Sequence, residues 1–318
     1  MGINVNRVRL VIVDLDNTLY DWLTYFGPAM RGLCTRLAEL SGCPTEVLYQ
    51  EFRDVFSRHG SVEYSFALQE LPSLNKLHPN LSRSEIVNRY RGAIDIYQSR
   101  RRKYLQLYEG VAEGLQELRS LGITVFALSD AQRFHVVNRL KQLRIADLLD
   151  GICCVADHEH DPDEVKEIRR FAAERYEAKL ERELILPEGL RKPDRRVLDW
   201  LLEQLDMNPT EALYVGDSLI KDIPMAKAAG VYDCWAIYGT HYSIVDMATL
   251  VRVTNWPPAA VAAAIDATPD GVGIRPSHIA YSFADVVNLV TTPEAEWAPR
   301  IGPPSMPRTQ IPLFELAS

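Results

Sequence analysis

Asp14 and Asp16 close the first apolar run of the chain, in the order Asp14-Leu-Asp16-Asn-Thr18. Ser129 closes a second run. Lys192 stands in Arg191-Lys192-Pro193, and Asp217 and Asp222 fall in Gly216-Asp217-Ser-Leu-Ile-Lys-Asp222. Each has a plain reading by itself. An Asp-x-Asp pair after a strand is a turn or a cap, a Ser before a helix is an N-cap, and a loop lysine is solvated. An Asp in the first helical turn answers the dipole. Gathered on one edge, these residues do something else. Crowded carboxylates repel each other and become stable around a hard divalent cation. All-oxygen donors suit Mg²⁺, which keeps waters and shares its octahedron with phosphate oxygens. A carboxylate can then act as a covalent nucleophile toward phosphorus, and a second one can move protons. A lysine and a hydroxyl can neutralise and hold the phosphoryl group.

That chemistry requires elements that deliver these residues to one edge. Val8 to Val13 is a buried, β-branched strand. From Tyr108 onward helix and strand alternate. Helices are expected at 111–120, 133–143, 194–205, 221–229 and 283–290. Strands are expected at Ile123–Leu128, Gly151–Val155, Ala212–Val215, Cys234–Ile237 and Ile279–Tyr281. This alternation predicts an α/β fold with a doubly wound parallel sheet, in which ligands bind outside the carboxyl ends of the strands. Asp14, Asp16 and Thr18, then Ser129, then Asp217 and Asp222 all follow strand ends, and Lys192 lies in the loop feeding the helix at 194.

Three segments stand outside the alternation. Residues 20–105 are helical in spacing with no convincing strand, and Ser82-Arg-Ser-Glu85 is a capping box for their last long helix. Residues 157–190 are charged and helix-prone, an insertion within the core. Residues 291–318 carry six prolines and read as a tail or extended arm.

The motifs at Asp14/Asp16/Thr18, Ser129, Lys192-Pro193 and Asp217/Asp222, in that order, resemble the four motifs of the haloacid dehalogenase superfamily. The resemblance covers 1–19 and 106–290, the expected Rossmann-like core, and places an α-helical cap at 20–105. It implies Asp14 as nucleophile and metal ligand. It implies Asp16 as general acid/base, with its carbonyl on the metal, and Ser129 and Lys192 as phosphate-binding. Thr18, which shapes the turn after the nucleophile, is grouped with them. Asp217 and Asp222 complete the metal site, Asp222 through water or by holding Lys192. The implied cofactor is Mg²⁺. The expected activity is a phosphatase working through an aspartyl-phosphate on a small phosphorylated metabolite, such as a sugar phosphate or nucleotide. Dehalogenation is disfavoured, because Asp16 and the acidic pair serve an oxygen leaving group and a metal. A phosphomutase shares every core residue and stays open, as does a catalytically silent binding or scaffold protein. The long 157–190 segment departs from the family pattern; it or the C-terminal arm could carry a homodimer contact.

Bulk properties set the outer limits. Apolar residues at 47% and charged residues at 25% fit a globular chain with a large core, and a net charge of −8 disfavours nucleic acid as partner. No stretch approaches the ~20 apolar residues of a membrane helix, and Val8–Val13 is too short for a signal peptide. Five cysteines at spacings that fit no zinc pattern read as free thiols in a reducing compartment, hence cytoplasm. His158-Glu-His-Asp161 reads as a polar loop, Arg100–Lys103 as a solvated helix end, and His241 as lying beside the site without a role.

Overall fold

A computed structural model describes residues 8–160, 163, 165, 166, 176–256 and 268–291. Among the described residues seven parallel strands form one sheet: β1 (Leu10–Val13), β2 (Thr124–Gln132), β3 (Gly151–Val155), β4 (Glu183–Ile185), β5 (Ala212–Gly216), β6 (Tyr232–Ala236) and β7 (His278–Ala280), in the order β4-β3-β2-β1-β5-β6-β7. β1 is Leu-Val-Ile-Val with every residue buried, as a central strand covered on both faces must be. Its side chains alternate. Val11 and Val13 enter one core cluster, Leu10 and Ile12 the other.

The helices sort to the two faces by the same clusters. α6 (Val111–Ser120), α7 (Arg133–Leu143) and α11 (Phe283–Thr291) cover the Val11/Val13 face with Leu115, Leu140 and Phe283. α8 (Arg196–Leu205) and α9 (Asp222–Ala229) cover the other with Leu198, Leu201 and Met225. Between β1 and β2 the chain makes the inserted helical cap: α1 (Trp22–Ser41), α2 (Thr45–His59), α3 (Pro72–Leu77), α4 (Arg83–Arg89) and α5 (Arg91–Tyr104). It leaves and re-enters side by side, with Tyr20 bridged to Leu107 and the Tyr108 N–H donating to the Leu19 carbonyl at 3.0 Å. α1 also leans on α10 (Ile244–Arg252), where Arg31 pairs with Asp246 at 2.6 Å.

Two expectations change. The Ser82/Glu85 capping box is present, but it opens only the seven-residue α4, and the long α5 starts after a break at Tyr90. Glu183–Ile185, read as part of a helical insertion, is the edge strand β4, paired to Ile152–Cys154 of β3. Three residues are too few to show alternation, and only the neighbouring strand makes them β. Residues 161, 162, 164 and 167–175 of the 157–190 segment, and all of the 291–318 arm but residue 291, lie outside the described residues.

The strand order matters for the site. β2 and β5 flank β1, so the crossovers on its two sides run in opposite directions. A doubly wound sheet opens a crevice at such a reversal, at the carboxyl ends of the strands. Asp14 follows the end of β1 and Asp217 the end of β5.

Candidate active site

Asp14 continues the ladder beyond β1: its N–H donates to the Val215 carbonyl of β5 at 2.8 Å. The chain then turns sharply. Asn17 takes the left-handed conformation (φ 60), which its short polar side chain tolerates. Its Oδ1 accepts from the N–H groups of Trp22 and Leu23 at 3.1 and 3.3 Å, tying the turn to the start of α1. Gly239, after β6, backs this turn. A Cβ there would fall onto the Asn17 carbonyl oxygen, so the close approach requires glycine.

Lys192 arrives from the loop after β4, anchored by its own N–H on Asp130 Oδ1 (3.2 Å) and by Arg191 on the Asp130 carbonyl (3.0 Å). Its buried ammonium donates to Asp14 Oδ1 and, at 3.0 Å, to Asp222 Oδ1. Asp222 opens α9. Both of its oxygens are engaged: Oδ1 also accepts from the Tyr214 hydroxyl at 2.8 Å, and Oδ2 accepts from the Ser218 N–H at 3.0 Å. A Cβ at Gly216 would lie 2.5 Å from this carboxylate. Thr18 Oγ1 donates to Asp14 Oδ2 at 3.2 Å, so among the described residues it meets the nucleophile candidate directly. Asp217 is held from β6 and the loop beyond it. Trp235 Nε1 donates to its carbonyl at 2.8 Å and the Tyr242 hydroxyl to its Oδ2 at 3.2 Å.

One oxygen each from Asp14, Asp217 and Asp222 lies within 4.8 Å of the others. Burial pushes Asp14 up to about 7 against the pull of the Lys192 ammonium, and Asp222 and Asp16 push the same way as burial. Asp217 stands well above the usual carboxylate range, first from burial and then from Asp14 and Asp222. Burial pulls Lys192 down, and the carboxylates of Asp14 and Asp222 more than reverse it. Among the described residues three carboxylates face a single ammonium here. This donor set of buried oxygens with negative charge in excess fits a hard divalent cation.

The remaining sequence candidates fall as follows. Ser129 is buried at a bulge of β2, where the register against β3 shifts between Leu128 and Gln132, and its Oγ accepts from the Ala131 N–H at 3.1 Å. Bulges re-aim side chains beside sites. Asp16 is not one of the three clustered carboxylates; its Oδ1 is held by Arg139 at 2.5 Å. His241 is exposed and only caps the turn at Tyr238, while its neighbour Tyr242 reaches Asp217. His158 and His160 pack edge-on and tilted against Tyr64 and Phe66. Arg100–Lys103 is not a uniformly solvated end. The Arg101 side chain is 11% exposed, pairs with Glu63 at 3.0 Å and lies 4.6 Å from the Tyr25 ring centroid.

Sequence reasoning missed Tyr214, Tyr242, Glu63 and Arg139. Arg139 is 1% exposed and bonds Asp16, Tyr20 and Glu63. Its signal was available: it follows Val136 by three on the apolar stripe of α7, where an arginine needs partners. Beyond it lies a cavity of about 950 Å³ between the cap and α7. Glu63, Arg101, Gln69, His135, Phe52 and Leu68 are among its lining residues, and Asp14, Ser129 and Lys192 are not.

A parallel α/β sheet with an acidic cluster and a buried lysine at its switch point defines a class of hydrolases, and comparison with known proteins agrees. The family model for haloacid dehalogenase-like hydrolases matches residues 8–230. The chain is 27% identical over 237 residues to the phosphoglycolate phosphatase of Vibrio vulnificus strain CMCP6, covering 74% of this chain and 86% of that protein. It is 22% identical over 239 residues to the glyceraldehyde 3-phosphate phosphatase of Pyrococcus abyssi, covering 73% and 82%. In fold it is similar to the 2-haloacid dehalogenase of Pseudomonas syringae pv. Tomato, with TM-score 0.52, 18% identity, and coverage of 92% of this chain and 100% of that one. It is also similar to the HAD phosphatase of Thermococcus onnurineus, with TM-score 0.50, 16% identity, and coverage of 89% and 98%. The chain belongs to the haloacid dehalogenase-like hydrolase family.

Proposed function

We propose that this phosphoric monoester hydrolase is a Mg²⁺-dependent phosphatase that acts on a small phosphorylated metabolite through an aspartyl-phosphate on Asp14. The observation that carries the reading is Lys192, whose buried ammonium bridges Asp14 and Asp222 beside Asp217 at the switch point. That arrangement orients one carboxylate, neutralises part of the local charge and leaves an all-oxygen site next to it.

In the proposed reaction an Asp14 oxygen attacks phosphorus as the ester P–O bond breaks, and the departing oxygen takes a proton from Asp16. A water then gives its proton back to Asp16 and attacks the phosphorus of the aspartyl-phosphate. Inorganic phosphate leaves and Asp14 is restored. Lys192 and Ser129 bind the phosphoryl oxygens, and Thr18 steadies Asp14. Asp14, the Asp16 carbonyl and Asp217 would hold the metal, which when bound would supply charge neutralisation and orientation of the phosphate. Asp222 acts by holding Lys192, since both its oxygens already accept hydrogen bonds. The cap covers the site and the cavity receives the alcohol portion. Relatives named for phosphoglycolate and glyceraldehyde 3-phosphate support small acid or aldehyde phosphates as first candidates. Among the described residues no helix is long and apolar enough to cross a membrane, and all five cysteines are free, which supports a cytoplasmic location.

Hydrolysis of p-nitrophenyl phosphate with Mg²⁺ and with EDTA, in wild type and Asp14→Asn, tests the reading. Turnover that requires the metal and falls by several powers of ten in the variant is expected. Equal rates in wild type and variant would remove Asp14 from the mechanism.

A further inference from the structure

Asp16 does not stand free beside the acidic cluster. Its carboxylate is held by Arg139, which also bonds the Tyr20 hydroxyl at 3.1 Å. The other arm of the same guanidinium holds Glu63, a residue of the cap segment after α2. Glu63 in turn accepts from Trp22 Nε1 at 3.1 Å and from Arg101 of α5 at 3.0 Å. One planar fork therefore grips a carboxylate of the core with one nitrogen and a carboxylate of the cap with the other. A guanidinium cannot turn toward one partner without moving away from the second. Among the described residues the buried Arg139 Nε has no hydrogen-bond partner, so the residue is placed for these contacts at the cost of an unpaired donor there.

The far end of this chain of contacts faces the cavity. Glu63 and Arg101 line it, as do Gln69 and His135, whose Nε2 and Nδ1 are also buried with no hydrogen-bond partner among the described residues. Any group seated in that cavity would meet Glu63 and Arg101.

We propose that Arg139 and Glu63 are positioning residues that set where the Asp16 carboxylate stands and tie it to occupancy of the cavity by the leaving group. Neither touches the reacting atoms; both act through Asp16. This rests on the reading of Asp16 as the acid that protonates the departing oxygen.

The test compares kcat/KM for p-nitrophenyl phosphate and phenyl phosphate, two esters of similar shape. The first leaves as a stabilised phenolate and needs little help from an acid, whereas the second needs more. The ratio kcat/KM reports steps only up to leaving-group departure, so the later use of Asp16 on water does not enter. Asp16→Asn, Arg139→Met, Arg139→Lys and Glu63→Gln are measured, each checked for an intact thermal unfolding transition. For Asp16→Asn a loss of about 100-fold on phenyl phosphate and under about 10-fold on p-nitrophenyl phosphate is expected, within the usual range for general acids. Arg139→Met should show the same split, about 30-fold against under 3-fold, with Arg139→Lys recovering part of it. Glu63→Gln, which leaves the Arg139–Asp16 pair in place, should show a smaller split of about 5-fold. Equal losses on both esters in Arg139→Met and Glu63→Gln, or no loss in either, while Asp16→Asn keeps its split, would overturn the positioning role alone. No split in Asp16→Asn would overturn the acid role beneath it. Should Arg139→Met fail to fold, Arg139→Lys and Glu63→Gln decide by the same comparison.

Discussion

Asp222→Asn separates two roles that the sequence left together. The substitution keeps shape and removes one charge. Asp222 offers two oxygens, one to Lys192 and Tyr214 and one to the Ser218 N–H. Asparagine has one oxygen, so in either orientation its NH₂ faces a donor. If the oxygen stays on Lys192, the Ser218 N–H loses its acceptor; if it turns to Ser218, the ammonium loses one of two partners. A buried group left unsatisfied costs about 1–3 kcal/mol, more when charged, and Lys192 keeps Asp14 as its second anchor. Removing one of the three carboxylates also relieves its repulsion with Asp14 and Asp217, so the expected loss of stability is about 1–2 kcal/mol, less than the full cost of breaking a buried ion pair. Urea unfolding in EDTA should show a lower midpoint with an unchanged slope. In activity, kcat should fall at least ten-fold because Lys192 is no longer fixed on Asp14. The Mg²⁺ concentration for half-maximal rate should move less than about three-fold. A Mg²⁺ requirement shifted a hundred-fold with stability unchanged would refute this reasoning and make Asp222 a direct metal ligand.

Other consequences follow from single contacts. Tyr214→Phe removes one hydroxyl donor from Asp222 and should cost about 1 kcal/mol in urea unfolding, with a smaller drop in kcat than Asp222→Asn; an equal or larger drop would contradict the order of support assigned here. Gly239→Ala puts a methyl group on the Asn17 carbonyl and should lower stability by about 1–3 kcal/mol and kcat more than ten-fold; wild-type behaviour in both would mean the turn after Asp14 has room to move. His135 is held below its ordinary pKa by burial and then by the charges of Arg101 and Arg139, so it folds neutral. The unfolded chain gains its proton below pH ~6.5 and the folded chain does not, so this contribution to stability is present above that pH and is lost as pH falls. His135→Asn should lose up to about 2 kcal/mol less than wild type between pH 7 and pH 5 by urea unfolding; parallel curves would contradict it.

The sheet was legible where a strand ends in an abrupt change of character. Four buried apolar residues followed by Asp14 leave little choice of reading, and Ala212–Gly216 followed by Asp217 is the same signal. The meeting of Lys192 with Asp14 was expected only through the family resemblance, because 178 residues separate them and no periodicity relates a loop to a distant strand end. What escaped was tertiary. Glu183–Ile185 becomes a strand only because β3 offers an edge. Tyr214 reads as an ordinary strand residue until α9 brings Asp222 to its hydroxyl. Arg139 and Glu63 lie 76 positions apart and meet only when the cap folds onto α7. Arg101 sits within a basic run whose local pattern indicates solvent, yet the aromatic rings of Tyr25 and Tyr97 enclose it.

In the proposed reaction phosphorus becomes covalently bound to Asp14 during turnover. Mixing the enzyme with Mg²⁺ and excess p-nitrophenyl phosphate, quenching in acid within the first turnovers and mapping the phosphorylated peptide by mass spectrometry measures this directly. Phosphate is expected on the peptide carrying Leu10–Thr18, located at Asp14, and none in Asp14→Asn. Steady turnover with no phosphate on Asp14, or phosphate on another residue, would contradict it.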